Sequence, residues 1–279
     1  MSSFLDRTRR AWQVNDSLLC VGLDPVVERI PKCVADHERP YFEFCSQIVD
    51  ATAPYCAAYK PQAAHFGAAG REDELAELCG YIKAKYPEHL LILDAKRGDI
   101  GSTAELYAKE AYQRYGADTV TVNPYLGAEA CTPYLSYKDK GIVVLCRTSN
   151  AGSDWMQKVG EPPMYLRVAQ TVAEWNDTGQ CMLVAGATYA EELGAIRDLV
   201  PEIPLLVPGI GAQGGDLLAV LKNGLDSDGH GLFISSSRGI IYASDQEDFA
   251  EAAGSEAALL DSQIRDIRSE IFHNSLNNK

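Results

Sequence analysis

Short apolar runs recur along the chain at residues 18–23, 57–60, 90–93, 119–122, 142–146, 182–185, 205–207 and 232–234. Runs of this length, bounded by Gly, Pro and polar residues, read as buried strands. Between them the apolar positions take helical spacing, over 41–52, 72–85, 102–114, 164–175, 190–199 and 216–222. Regular alternation of strand and helix predicts parallel strands joined by crossover helices. Eight such units in about 220 residues match the length of a (β/α)8 TIM barrel. An open doubly wound sheet is the alternative, because strand number alone does not prove closure.

The flanks read as additions to an α/β barrel core spanning about 18–241. Residues 3–13 form a lead-in helix, and Ser244-Asp-Gln-Glu247 carries a capping-box pattern that opens a helical extension over 244–273. Within it, Leu260, Ile264, Ile267 and Ile271 make a one-sided stripe suited to packing on the barrel. With no linker or low-complexity segment, 1–279 reads as a single domain.

Composition narrows the partners. A formal net charge of −14 opposes nucleic acid and anionic membrane surfaces, both of which need a positive face. A small anion then requires a local cationic pocket. No apolar run approaches the roughly 18 residues of a spanning helix, and the start of the chain shows no signal-peptide h-region, so a cytoplasmic protein is expected. The 8 cysteines are scattered without C-x-x-C spacing, which fits reduced thiols rather than a disulfide framework. None of the 5 histidines pairs at i, i+3 or i, i+4, which argues against zinc.

The chemistry gathers after the third run, in Asp94-Ala-Lys96-Arg-Gly-Asp99. Strand alternation puts Asp94 and Lys96 on one face, and two acids flanking a lysine hold its amine protonated. Alone, such a cluster also fits an ordinary ion pair at a strand end. Other runs end in polar residues too: Asp24, Lys60, Asn123, Arg147 to Asn150, Pro208 to Asp216, and Ser235 to Gly239. In a barrel these ends share one rim, where reactive groups sit. The last two loops combine glycines, a helix start at 216–222 and Arg238, a combination suited to phosphate. Gly209-Ile-Gly211-Ala-Gln-Gly214 spells a dinucleotide fingerprint, but it follows the seventh strand rather than the first, which argues against a nicotinamide site.

These motifs, in order over about 18–241, resemble the orotidine 5′-phosphate decarboxylases, in particular the longer bacterial subgroup. The matching segments are Gly-Leu-Asp24-Pro, Tyr-Lys60-Pro, Asp94-Ala-Lys96-Arg-Gly-Asp99-Ile100-Gly-Ser-Thr103, Pro-Gly-Ile-Gly-Ala-Gln213-Gly-Gly and Ser-Arg238-Gly. The resemblance implies a charged tetrad of Lys60, Asp94, Lys96 and Asp99, with Lys96 as proton donor to C6 of the pyrimidine. It further implies that Asp24 and Lys60 hold the ribose, and that Ser149 contacts the pyrimidine. Gln213 and Arg238, with Pro208 and Gly239 beside them, would hold the phosphate. Asp99, Ile100 and Thr103 would reach into the site of a second subunit, which implies a homodimer. No metal or organic cofactor is implied. Two alternatives stay open: a Mg²⁺-dependent sugar-phosphate decarboxylase or aldolase of the same barrel, and a phosphate-binding barrel without turnover. Departures from the family pattern lie chiefly in the loop 151–164, whose Trp155 and Gly-Glu-Pro-Pro read as a lid or, more simply, a connection.

Overall fold

The computed structural model describes residues 3–210 and 215–277, with side chains described to residue 272. Its strands are β1 (Leu19–Leu23), β2 (Ala58–Pro61), β3 (Leu90–Arg97), β4 (Thr119–Val122), β5 (Gly141–Arg147), β6 (Cys181–Ala185), β7 (Leu205–Pro208) and β8 (Leu232–Ser236). They pair in chain order and close, β8 lying parallel to β1. The structure is therefore a (β/α)8 barrel and not an open sheet. Every residue of β1, β2, β4 and β6 is buried. One face of each strand fills the barrel and the other meets helices, so the runs read as continuously apolar.

Helices Pro40–Thr52, Glu72–Lys85, Met164–Trp175 and Ala190–Leu199 occupy the expected segments. The segment expected as one helix over 102–114 is instead α-helical over Gly101–Lys109 and a π turn over Glu110–Arg114. The wider turn accompanies a side-chain bond: Arg97, at the end of β3, donates to Glu110 Oε2 at 3.0 Å.

The barrel floor is closed by helix Phe4–Asn15, whose start is a reciprocal cap between Ser3 and Asp6. Its Phe4 ring lies where a side chain on Gly141, the first residue of β5, would stand. The C-terminal helix begins at Phe249 rather than at 244. Ser244 Oγ accepts the Gln246 amide at 3.1 Å and donates to Asp248, so it closes a turn instead of a helix cap. Ile264 of this helix is fully buried, and Leu260, Ile267 and Ile271 pack against the core. The helix lies on Pro40–Thr52, so close that a Cβ on Gly254 would stand 2.9 Å from the Ala51 carbonyl oxygen. All 8 cysteines are free, and only Cys33 is exposed. Among the described residues, no helix is long and apolar enough to cross a membrane.

Candidate active site

β3 departs from regular geometry where it reaches the rim. Leu93 pairs with Val120 and Arg97 with Val122, so four steps on β3 face two steps on β4. The excess forms a bulge with Lys96 at φ 45, in the left-handed region that non-glycine residues avoid. Asp94 and Lys96 are in contact as expected, but across an irregular stretch of strand rather than a regular pleat. The strand runs on to Arg97 instead of ending before Asp94.

Asp94 is the hub of the rim. Its Oδ2 accepts Lys60 Nζ at 2.9 Å, and its Oδ1 accepts Lys96 Nζ at 2.6 Å and Thr121 Oγ1 at 2.9 Å. Asp94 and Lys60 are buried, whereas the Lys96 side chain is 49% exposed. Burial alone would raise the Asp94 carboxyl, but the two ammoniums outweigh it and hold Asp94 well below its ordinary 3.8. Burial alone would likewise lower Lys60, and the carboxylates of Asp94 and Asp24 reverse the sign and raise it above 10.5. Both groups are therefore charged across the physiological range.

Asp24 follows β1, and its Oδ2 accepts Ser237 Oγ at 2.8 Å from the loop after β8. Its Oδ1 is buried and, among the described residues, has no hydrogen-bond partner. Gly22 makes this seam possible: a Cβ there would stand 2.7 Å from the Ser237 Cβ.

Asp99 does not join the cluster. Among the described residues no ion pair links it to Lys60 or Lys96, and its Oδ1 accepts the Ile100 amide at 2.8 Å. Within one chain the ammonium of Lys96 is therefore held by one acid, not between two. Ile100 is 54% exposed, and Thr103, on the helix that follows, is exposed.

Pro208 ends β7, and Arg238 and Gly239 are exposed at the start of the short helix Arg238–Ile241. Gln213 lies outside the described residues. The loop after β7 closes through the Gly215 amide, which donates to Gly209 O at 3.2 Å. The helix start expected to face an anion begins at Leu217, and Asp216 already caps it, accepting the Ala219 amide at 3.1 Å. Its own carboxylate occupies that position.

Residues 17–253 match the family described as Orotidine 5′-phosphate decarboxylase / HUMPS family. The orotidine 5′-phosphate decarboxylase of Cellvibrio japonicus is 49% identical over 272 residues, covering 96% of this chain and 100% of that protein. The structure of Leishmania donovani OMP decarboxylase superposes with a TM-score of 0.79 at 36% identity, covering 96% and 99% of the two chains. Leishmania donovani UMP synthase gives 0.82 at 39%, this chain spanning 57% of that larger one. The chain belongs to the orotidine 5′-phosphate decarboxylase / HUMPS family.

Within this decarboxylase-family barrel, the loop after β5 is anchored by a residue that sequence reading placed only at a strand end. Arg147 is fully buried. Its guanidinium donates to Glu192 and Ser153, to Asp154 Oδ1 at 2.6 Å and to Gln157 Oε1 at 3.2 Å, and it stacks 3.7 Å above the Tyr189 ring. Gln157 in turn accepts the Thr148 amide at 2.9 Å. Segment 151–157 is thus a tethered connection, with Trp155 on its outer side at 77% exposure. Ser149 sits between these ties. Gly186 lets it approach β6, since a Cβ there would be 2.8 Å from the Ser149 backbone. The available sequence signal was an arginine closing an apolar run with acids downstream.

Proposed function

We propose that this chain decarboxylates orotidine 5′-phosphate to UMP and CO2, with Lys96 as the proton donor. The observation that carries the reading is one buried carboxylate, Asp94, bound at once by Lys60 and Lys96 on the rim of a decarboxylase-family barrel. The C6–carboxylate bond breaks, its electron pair stays on C6, and CO2 departs. The Lys96 ammonium then transfers a proton to C6, and solvent restores it, for which the half-exposed side chain is suited. Asp94 lies beside the departing carboxylate, and Lys60 fixes its charge and position.

Asp24 and Lys60 hold the ribose hydroxyls; the unpartnered Asp24 Oδ1 supports this as a free acceptor. Ser149 meets the pyrimidine. Arg238, with Pro208, Gly239 and Gln213, holds the phosphate, and that remote binding energy helps exclude water around the ring. The total transition-state stabilisation required approaches about 20 kcal/mol, more than one proton donor supplies.

Asp99, Ile100 and Thr103 complete the site of a second copy, giving a homodimer with shared sites. Its support is the apolar exposure of Ile100 (54%) and Leu106 (65%) at the start of and within the helix that follows β3. Free, mostly buried cysteines fit a reducing, cytoplasmic setting. The Mg²⁺-dependent alternative is disfavoured by charge, because two ammoniums already neutralise the acid that a divalent ion would need.

The test is an assay of orotidine 5′-phosphate in EDTA, following loss of the substrate's ultraviolet absorbance. Turnover at full rate is expected. Binding without spectral change, or activity that needs Mg²⁺ restored, overturns the proposal.

A further inference from the structure

Thr121 sits on β4 in the run Thr-Val-Thr-Val, which by itself reads only as strand-forming residues. Its side chain is buried against the β3 bulge. A threonine hydroxyl has one proton to donate and two lone pairs to accept with. Here all three are used on one short segment. Oγ1 accepts the Ala95 amide at 2.9 Å and the Lys96 amide at 2.8 Å, and it donates to Asp94 Oδ1 at 2.9 Å. Two successive amides pointing at one oxygen require the backbone to turn at Ala95, immediately before the left-handed residue Lys96, so the hydroxyl clamps the chain at the entry to that turn. A conformation of that kind persists only where its surroundings enforce it.

We infer that Thr121 is a positioning residue for the decarboxylation, its hydroxyl holding the β3 bulge in the form that returns the Lys96 ammonium to Asp94. The inference rests on the function proposed above and adds to it a specific support for the proton donor. Three alternatives for the same hydroxyl are excluded by the geometry. It is saturated, so it has no proton left for substrate. It is buried, so it is not a docking group. Its bonds all go to Asp94, Ala95 and Lys96, so its role is confined to this bulge.

The consequence is a separation of binding from turnover. Without the hydroxyl, two amides lose their acceptor, the coil at Lys96 relaxes, and the ammonium moves away from the reacting carbon. Displacement of a catalytic group by about 1 Å is sufficient for a rate loss of about 100-fold. Residues that hold ribose and phosphate come from other strands and are undisturbed.

The test compares Thr121→Val, Thr121→Ala and Thr121→Ser with the wild-type protein, measuring kcat and KM with orotidine 5′-phosphate and UMP affinity by calorimetry. Val and Ala are expected to lower kcat about 100-fold while leaving UMP affinity unchanged, and Ser is expected to restore most of kcat. If the Val protein does not fold, the Ala and Ser pair decides in the same way. Undiminished kcat in Val or Ala overturns the inference. So does a Ser variant as slow as Ala, which would assign the effect to the methyl group. An inactive wild type would instead defeat the proposed function, so the two failures are told apart.

Discussion

Lys60 and Asp94 are both buried, and their charges meet at 2.9 Å on adjacent strands of the barrel. A buried pair of this kind is costly to break, because the surviving partner keeps its charge without a counterion. Lys60→Met is expected to lower unfolding free energy by about 3 kcal/mol, near the bottom of the range for buried pairs since Lys96 remains on Asp94. Urea denaturation followed by circular dichroism checks this; a loss under about 1 kcal/mol would mean that the pair contributes no more than an exposed one.

The same pair sets a pH window. Asp94 is held below its ordinary 3.8, so its contribution is present above that value and fades as pH falls beneath it. Lys60 is held above its ordinary 10.5, so its contribution is complete below that value and fades as pH rises past it. The coupling measured by a double-mutant cycle of Lys60→Met and Asp94→Asn should therefore be flat between about pH 4 and 10 and shrink at both extremes. A coupling that varies steeply near neutrality would contradict the assigned charge states.

At Lys96 stability and turnover should separate. Its backbone is left-handed, a conformation that costs a non-glycine residue about 1–2 kcal/mol. Both Lys96→Ala and Lys96→Gly are expected to lower kcat by about 10⁴-fold while UMP still binds. The glycine variant should nevertheless be about 1 kcal/mol more stable than the alanine one. Equal stabilities would show that the coil carries no strain, and substantial residual turnover in either would remove Lys96 as the acid.

Arg147 offers a prediction about the loop that carries Ser149. Arg147→Met leaves Glu192 and Asp154 without their fork of donors and should cost about 2–3 kcal/mol. Amide exchange should speed up across residues 148–157 while β1 to β4 stay protected, and KM should rise more than kcat falls. Uniform loss of protection over the whole barrel would refute a local anchoring role.

Arg238→Ala should weaken UMP binding about 10- to 100-fold, the value of a charge-assisted contact, and leave uridine binding unaltered. Calorimetry with both ligands decides it. An equal effect on the two would place Arg238 away from the phosphate.

Much of this architecture is legible in the chain alone. Aliphatic runs such as Leu90 to Leu93 are buried on both faces and announce parallel strands, and Asp94 and Lys96 are conspicuous because charge rarely follows such a run. What stays hidden depends on neighbours distant in sequence. Thr121 looks like any β-former until β4 is laid beside the bulge of β3. Arg147 looks like a polar strand end until Glu192, 45 residues onward, meets it. The turn at Ser244 mimics a capping box because the same side chain satisfies either motif. Asp99 is a different case, since the backbone beyond the bulge carries it away from both lysines of its own chain.

The bond between Asp24 and Ser237 joins residues 213 positions apart, across the line where the first and last strands meet. A nascent chain emerging from the ribosome therefore holds every charged residue of the β3 cluster long before it owns a finished rim. Shortened products that stop ahead of β8 should be inert whatever else they have folded, and catalytic competence arrives in one step with the closing strand.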